Sequence, residues 1–271
     1  MGRDDPNYFS KNRSEWKKAD DAISSRPLMQ DRIDPDALMV HCFNVVDKTE
    51  PHSFEEAMKR DDAEGWKKSI EIENQNLKDN ETWVEVKPWQ IPKDALIVGS
   101  RWVFKYKTDS NNNVFHKARL VAKGFTQIPG IHYDEVSSPV GRYATARAII
   151  AYAASKNYEI DQVDVVCAFL NGDLEEDIFL RLPEGTNSNS IIVKLKKSIY
   201  GLKQSSRNWF LKFRETILQF GFEQSSADPC MFTKQEGDDL LIILIYVDDG
   251  LIVGSRDKVD KSKTICSASS R

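Results

Sequence analysis

Cysteine is scarce in this chain, and its spacing excludes two kinds of site. The 271 residues contain four cysteines, with no Cys-x-x-Cys pair and no histidine at a zinc-binding spacing. This distribution argues against a structural zinc site and against a disulfide framework. We therefore expect reduced thiols, as in an intracellular protein, at Cys42, Cys167, Cys230 and Cys266.

Long apolar runs and internal repeats are absent as well. The most apolar segment, 240–253, is interrupted by charge, and the polar amino terminus is unlike a secretory signal. We expect a soluble intracellular protein without a membrane partner. With 40% hydrophobic residues, the chain can bury a substantial core of one or two domains.

An overall excess of positive charge is also missing, since the net charge is -4. The local distribution differs, because six cations and one carboxylate lie between positions 101 and 125. The field near such a cluster is what a polyanion meets, so the net charge does not exclude a nucleic-acid partner. The six cations are Arg101, Lys105, Lys107, Lys117, Arg119 and Lys123.

The adjacent carboxylates of Asp248 and Asp249 lie inside the most apolar segment of the chain. The flanking runs, 241–245 and 251–253, are typical of buried strands, and the sequence Asp-Asp-Gly250 predicts a hairpin turn between them. Two charges in such surroundings cost desolvation energy unless a cation compensates them. Aspartates are also common in turns for conformational reasons, so the pair alone does not establish a metal site.

A third carboxylate upstream favours the metal interpretation. Asp164 lies in a segment that predicts a strand ending near Ala168, followed by a turn at Asn171-Gly172. Three carboxylates at one sheet edge repel each other unless cations join them, and two Mg²⁺ ions would make a phosphoryl-transfer site. Mn²⁺ is the alternative ion. Asp161 is a weaker candidate ligand, because an odd offset on a strand places it on the opposite face.

Apolar periodicity predicts three helices and a charged hairpin. The segment 63–79 carries a helical stripe, a capping box precedes it at Ser53 and Glu56, and 143–155 is rich in Ala and Ile. A third stripe follows Gly201. The cations between 101 and 123 flank the turn-rich segment 109–113, which predicts a hairpin with a cationic end. The stripe residues are Trp66, Ile70 and Leu77 in the first helix, and Trp209, Phe213 and Ile217 in the third.

Six sequence blocks together resemble the reverse transcriptase of copia-type LTR retrotransposons. They occur in the order and at the spacing of that family, and they lie within residues 53 to 255. Their joint presence is far more specific than any single motif. The blocks are 100–105, 117–127, 163–165, 168–172, 200–205 and 246–249.

The resemblance implies an α+β fold of the right-hand polymerase type, with fingers and palm and with the thumb absent. The palm would contain a split βαβ (ferredoxin-like) antiparallel sheet. Residues 53–135 would form the fingers, and 136–255 the palm, with an interleaved fingers segment at about 171–204. Residues 1–52 are predicted to be a charged, largely disordered segment, and 256–271 a tail unrelated to the family.

The resemblance also implies roles for individual residues. The aspartates would bind the metal ions and carry catalysis, and an aromatic residue five positions after the first would exclude a ribonucleotide 2′-hydroxyl. Core packing is the alternative interpretation of that aromatic residue. The catalytic and metal set is Asp164, Asp248 and Asp249; the nucleotide set is Lys105 or Lys107, Arg119, Phe169, Tyr200 and Gly201; the template-primer set is Tyr246, Lys203 and Arg207.

The partners implied are an RNA or DNA template-primer and deoxynucleoside triphosphates, in the cytoplasm, within a virus-like particle, or in the nucleus. A second basic cluster, interleaved with Tyr200 and Trp209, is suited to backbone phosphates. The competing hypothesis is a catalytically inactive transposon relic that at most binds nucleic acid. The second cluster comprises Lys194, Lys196, Lys197, Lys203, Arg207 and Lys212.

Overall fold

The structure, a computed structural model, describes residues 49–93, 95–109 and 111–260. The predictions for the first 48 residues and for 261–271, including Cys42 and Cys266, lie outside the described residues. Two five-stranded sheets and four complete α-helices make up most of this region, and residues 256–260 are also helical, which confirms the α+β class. None of these helices is long and apolar enough to cross a membrane.

The first sheet, here called the mixed sheet, is built around a long hairpin. Its strands are β1 (Trp83–Glu85), β2 (Ile97–Thr108), β3 (Val114–Ala122), β5 (Phe179–Arg181) and β6 (Ile192–Leu195), in the order β1-β6-β5-β2-β3. The pairing of β2 with β5 is parallel and the others are antiparallel. The segment 179–195 therefore joins a sheet whose other strands lie between residues 83 and 122.

Two helices lie beside the mixed sheet. Helix α1 (Phe54–Lys59) begins at Ser53, whose hydroxyl accepts the Glu56 backbone N–H, while the Glu56 carboxylate accepts the His52 N–H. The predicted capping pair is present, but it caps α1, and Glu56 bonds one residue earlier than in a capping box. Helix α2 (Ala63–Asp79) has the predicted bounds, and its predicted stripe, Trp66, Ile70 and Leu77, is buried in the core.

The second sheet, here called the antiparallel sheet, holds the apolar segment that contains the aspartate pair. Its strands are β4 (Glu159–Asp164), β7 (Glu223–Gln224), β8 (Met231–Glu236), β9 (Asp239–Tyr246) and β10 (Asp249–Gly254), in the order β4-β10-β9-β8-β7. Every pairing in it is antiparallel. Its central strand β9 is buried on both faces from Leu241 to Ile245, which explains its continuous apolar sequence.

Helices α3 (Tyr143–Lys156) and α4 (Ser205–Gln219) pack on the antiparallel sheet. Both agree with the predicted helices. The predicted stripe of α4, Trp209, Phe213 and Ile217, is at most 1% exposed and belongs to the core of this sheet. Phe213 meets Phe232 of β8 edge to face, with ring centroids 5.8 Å apart. Hydrophobic burial of this stripe thus holds α4 against the antiparallel sheet.

Two predicted boundaries near the aspartates are wrong. The hairpin turn is at Val247-Asp248, because Asp249 pairs with both Tyr246 and Asp164 as the first residue of β10. Strand β4 ends at Asp164 rather than near Ala168, since its partner strand β10 begins opposite that residue. After β4, Cys167 has a left-handed backbone conformation and a 3₁₀ turn covers Ala168–Asn171.

Candidate active site

The pairing of β4 with β10 places two of the three aspartates directly opposite each other. Asp164 is the register partner of Asp249. Residues directly opposite on an antiparallel pair project from the same face, with Cβ atoms about 4.5–5.5 Å apart. Both side chains are exposed, and the Gln162 side-chain amide donates a 3.1 Å hydrogen bond to Asp249 Oδ1. Two like charges therefore share one open corner of the sheet.

Asp248 completes the group from the adjoining turn. Its carbonyl oxygen accepts the Val165 N–H at 2.9 Å, which ties the turn to the end of β4. The preceding residue, Val247, has φ of 59°, a conformation that is strained for a β-branched side chain. The buried Trp209 indole N–H holds this turn by a 2.6 Å hydrogen bond to the Val247 carbonyl. A core residue of α4 thus fixes the backbone immediately before Asp248.

The donor set at this corner suits a hard divalent cation, although it is not a closed cage. Carboxylate oxygens are the ligands that Mg²⁺ and Mn²⁺ prefer, and Mg²⁺ usually takes only one or two protein carboxylates plus water and substrate oxygens. In the described part of the chain, no group of three or more Asp, Glu, His or Cys side chains is arranged as a metal site. The three aspartates are therefore backbone neighbours whose side chains have not converged.

A groove of about 470 Å³ opens beside Asp249. It is lined by the first half of α3 and by residues of β4, β9 and β10 that share a face with Asp249. Tyr246, at the end of β9, is 48% exposed and lies in its wall, next to the aspartate corner. The groove is mainly apolar, and its other lining residues include Tyr143, Ile150, Gln162, Leu244 and Leu251.

Three side chains in contact with one another form a path from β3 to Phe169, which follows the last residue of β4 by five positions. The Phe169 ring meets the Tyr200 ring edge to face at 4.9 Å between centroids. The Arg119 guanidinium of β3 lies over the same Tyr200 ring, 4.6 Å from its centroid, in a cation–π contact. Tyr200 is also close enough to Asp248 for that charge to affect its ionisation. The structure thus brings Arg119, Phe169 and Tyr200 together beside the aspartates.

The ionisation of Tyr200 reflects its burial. Desolvation raises the pKa of this phenol to about 12, opposed by the nearby Arg119 charge. Like an unperturbed tyrosine, the phenol is protonated at neutral pH and can donate a hydrogen bond. Behind it, burial raises the pKa of Glu73, a carboxylate of α2 that is 3% exposed and accepts the Leu120 N–H of β3 at 3.2 Å. Burial likewise raises the pKa of the nearby Cys167 thiol.

Gly201 is required by packing against the end of β3. Its φ is +91°, and a Cβ atom there would lie 2.2 Å from the Ala122 carbonyl oxygen, so a side chain is excluded on both grounds. The Tyr200 carbonyl accepts the Ala122 N–H at 2.7 Å. The absence of a side chain on Gly201 thus lets the Tyr200 turn bond the free edge of β3. Gly201 itself is exposed to solvent.

The two candidate lysines of β2 lie on the same face of the hairpin as Arg119, because alternate residues share a face. Lys105 pairs with Lys117 in the register, one step from the Val103–Arg119 pair, whereas Lys107 pairs with Phe115 near the tip. Lys105 forms an ion pair with Glu50. The tip itself is ordered by Asp109, whose carboxylate accepts the Asn111 and Asn113 N–H groups at 2.8 Å each.

The second basic cluster differs from the sequence-based picture. Residues distant in sequence supply carboxylates to five of its six cations, so most of its charge is balanced locally. Arg207 also donates to the Ser137 carbonyl at 3.2 Å. Lys203 is the one member for which the described residues provide no ion pair. The pairs are Lys194 with Asp177, Lys196 with Glu81, Lys197 and Lys212 with Asp173, and Arg207 with Glu135.

Several residues that organise this region are not evident from the sequence. The sequence predicts Trp209 as a core residue, but it gives no sign that the indole N–H bonds the Val247 carbonyl in the turn between β9 and β10. Glu73 falls on the apolar stripe of α2, an unusual position for a carboxylate and the one signal that could have revealed it. Gln127 and Gln204 are at most 6% exposed and bond each other across 77 positions, which no local pattern reports.

Comparison with known proteins shows the family to which the chain belongs. The family model described as reverse transcriptase (RNA-dependent DNA polymerase) matches residues 80–265. The chain is 38% identical over 240 residues to the retrovirus-related Pol polyprotein from transposon TNT 1-94 of Nicotiana tabacum, covering 87% of this chain and 18% of that protein. It is also 38% identical over 213 residues to the Pol polyprotein from transposon RE1 of Arabidopsis thaliana, covering 77% and 14%.

A more distant relative shows the same pattern. The transposon Ty1-OR Gag-Pol polyprotein of Saccharomyces cerevisiae is 28% identical over 204 residues, which cover 68% of this chain and 11% of that protein. The chain thus spans less than a fifth of the length of each of these relatives. The matched region contains β4, the β9–β10 hairpin and all three aspartates. The chain belongs to the reverse transcriptase (RNA-dependent DNA polymerase) family, in the form found in copia-type Pol polyproteins.

Proposed function

We propose that this chain is the fingers and palm portion of an RNA-directed DNA polymerase, which adds deoxynucleotides to a primer 3′-hydroxyl. The observation that carries the proposal is the register of β4 with β10, in which Asp164 lies opposite Asp249 beside the Asp248 turn. Two like charges at one sheet corner are unfavourable for stability. Their presence favours a role in which a cation joins them.

Asp164, Asp248 and Asp249 would hold Mg²⁺, or Mn²⁺ in its place. Bound there, the ions would lower the pKa of the attacking hydroxyl and neutralise charge on the triphosphate. The chain's own contribution is to hold the carboxylates in register. Strand pairing fixes Asp164 and Asp249, and the Trp209 bond to the Val247 carbonyl fixes the strained turn that carries Asp248.

The incoming deoxynucleotide would lie against the path formed by Arg119, Tyr200 and Phe169. Arg119 suits a triphosphate because its planar guanidinium can bond phosphate oxygens in pairs. Of the two lysines, we favour Lys105, since its register position is diagonal to Arg119, within about 7–8 Å, whereas Lys107 is one step further. The exposed Lys105–Glu50 ion pair would yield readily, because surface pairs contribute little.

Phe169 would act as the steric gate that excludes a 2′-hydroxyl. Its ring is half-buried and its edge-to-face contact with Tyr200 limits its movement. Phe169→Ala should increase ribonucleotide incorporation relative to deoxynucleotide incorporation, measured as the ratio of the two kcat/KM values. Phe213→Leu is the matched control, since Phe213 belongs to the core behind the sheet. An unchanged ratio in Phe169→Ala would show that Phe169 serves packing alone.

The template-primer would lie along the aspartate face of the antiparallel sheet. Tyr246 in the wall of the groove beside Asp249 supports a contact with the primer end. Lys203 is available for a phosphate, whereas Arg207 would first have to leave Glu135. In this proposal the mixed sheet belongs to the fingers, with 171–204 interleaved, and the antiparallel sheet belongs to a palm of the ferredoxin-like, split βαβ type.

Primer extension tests the proposal directly. The purified chain is expected to extend a DNA primer on an RNA template with dNTPs and Mg²⁺, and Asp249→Asn should abolish extension. Asp161→Asn on the opposite face of β4 is the matched control and should retain activity. Template binding without extension by the unaltered chain would instead favour the inactive relic. Equal activity of the two variants would exclude the aspartate corner as the catalytic centre.

A further inference from the structure

Phe125 is displayed to solvent next to the proposed nucleotide path. It lies in the 3₁₀ turn Gly124–Thr126 that follows β3, and 80% of its surface is exposed. Gly124 packs against the Tyr200 turn so closely that a Cβ atom on it would lie 2.0 Å from the Gly201 carbonyl oxygen. The exposed ring is therefore carried by a turn that directly contacts the candidate site.

The backbone around Phe125 is held by a buried hydrogen-bond network. Gln127 Oε1 accepts the Lys203 N–H at 2.7 Å, and Gln127 Nε2 donates to Gln204 Oε1 at 3.0 Å. Gln204 Nε2 in turn donates to the His132 carbonyl at 2.8 Å. The side chains of these two glutamines and of His132 are 1–6% exposed. A satisfied buried polar network rigidifies the segment that it joins.

His132 closes the other end of the same loop. Its Nδ1 accepts the Ile128 N–H at 2.9 Å, which leaves Nε2 to donate to the Leu96 carbonyl at 3.2 Å. The loop from 123 to 132 is thus fixed both to the Tyr200 turn and to the start of β2. The loop that holds Phe125 also exposes Ile128 and Ile131, and apolar side chains exposed as a group mark an interaction site more often than a single exposed side chain does.

Two lysines connected to this loop indicate the kind of ligand. Lys123 lies two residues before Phe125 with its side chain over Gly99, and the exposed Lys203 bonds the same network through its backbone N–H. Among the described residues, neither ammonium group has an ion-pair partner, in contrast to the paired lysines of the second basic cluster. An exposed aromatic ring on a loop that carries one unpaired lysine and bonds the backbone of another suits single-stranded nucleic acid, whose bases stack while its phosphates meet the cations.

We propose that Phe125 is a stacking platform for an unpaired base of the template strand, with Lys123 and Lys203 meeting the neighbouring phosphates. The identity of the strand rests on the proposed function, because Phe125 adjoins the turn that would contact the incoming nucleotide. Ile128 and Ile131 are also exposed in this loop. They make a second copy of the chain the competing occupant, which the experiment below includes as an outcome.

The test compares binding to a labelled primer-template carrying a 5′ template overhang of roughly ten nucleotides with binding to the same duplex without the overhang. Measurements are made by fluorescence anisotropy without Mg²⁺ or dNTPs, so that failure of catalysis does not affect them. Phe125→Ala should weaken binding of the overhang substrate about 10-fold or more and leave blunt-duplex binding unchanged. Phe125→Trp should retain binding, because it keeps an aromatic face.

Trp89→Ala is the matched control. Trp89 is 77% exposed, stands beside Lys87 at 5.2 Å, and follows β1 at the opposite edge of the mixed sheet. It should bind both substrates as the unaltered chain does. Lys203→Gln should reduce the slope of log affinity against log salt by about 0.7.

Two results would overturn the stacking proposal. One is equal binding by Phe125→Ala and Trp89→Ala. The other is loss of self-association in Phe125→Ala, seen by sedimentation, with overhang binding unchanged, which would assign the surface to a second copy. A chain that shows Phe125-dependent overhang binding but no primer extension would contradict the proposed polymerase activity and leave the stacking role supported.

Discussion

Replacing Asp249 by Asn should make the protein more stable while abolishing its proposed activity. Asp249 and Asp164 are direct register partners on one face. The Cβ atoms of such a pair are about 5 Å apart; two unit charges in water repel by about 0.8 kcal/mol at that distance and by about half as much at twice the distance. Asn keeps the oxygen that accepts the Gln162 hydrogen bond. We therefore expect the free energy of unfolding to rise by about 0.5–1 kcal/mol.

The measurement is urea denaturation, at low ionic strength, with EDTA and then with Mg²⁺. Mg²⁺ at about ten times its Kd should stabilise the unaltered chain by about 1.4 kcal/mol, since the folded state alone gathers the ligands. The Asn variant has lost one ligand and should respond less. The order of stability of the two proteins should therefore reverse when Mg²⁺ is added. Raising the salt to 1 M should remove the difference seen in EDTA, because the screening length falls to about 3 Å.

Asp161→Asn supplies the control for general effects of losing a negative charge. Asp161 is on the same strand but pairs with Ile252 on the other face. It should show neither the gain in EDTA nor the altered Mg²⁺ response. If Asp249→Asn is no more stable than Asp161→Asn in EDTA, the carboxylates of Asp164 and Asp249 do not repel each other, and their side chains are not close together.

Three further predictions follow from buried groups. Burial raises the pKa of Glu73 above its usual 4.5, so the stability that its protonated form contributes is complete below pH 4.5 and is lost as pH rises through the folded-state pKa. Glu73→Gln should therefore unfold at a higher temperature than the unaltered chain at pH 7. Equal unfolding temperatures at pH 7 would contradict this. Trp209→Phe leaves the Val247 carbonyl without its donor, which should lower the free energy of unfolding by about 1–3 kcal/mol. It should also lower kcat more than it changes the nucleotide KM. An equal loss of kcat in Phe213→Leu would indicate that Trp209 acts through packing alone. Burial raises the pKa of Cys230 to about 12, so iodoacetamide at pH 8.5 should leave it unmodified until urea is added, as read by peptide mass spectrometry.

Elements whose apolar residues repeat at a helical spacing could be predicted from the sequence, with exact bounds for α2 and with the buried stripe, although not the bounds, for α4. Helix α2 buries Trp66, Ile70 and Leu77 as expected, and α4 buries the stripe that begins at Trp209. The β2–β3 hairpin was also predictable, since both strands flank a segment that contains Asp109 and three asparagines. In each case the information is local, because one face of a helix or the two arms of a hairpin are written in consecutive residues.

The turn between the aspartates could not be placed by the same reasoning. Asp-Gly is the commoner hairpin dipeptide, whereas the structure puts Val247, with φ of 59°, at the first turn position. Strand pairing overrides the local preference, since Asp249 is held by Tyr246 on one side and Asp164 on the other. Local turn propensity is worth less than a register that continues across three strands.

Charge was the property that sequence reasoning judged least well, and the reason bears on function. The second basic cluster has no acidic residue within its own span, yet Asp173, Asp177, Glu81 and Glu135 reach it from elsewhere in the fold. The cations left without such partners are therefore more informative than the cluster as a whole. Lys203 is one of them, and it is attached to the network that holds Phe125. In a fold with more carboxylates than cations, 42 against 38, a cation left unpaired beside the proposed nucleotide path is available to a phosphate.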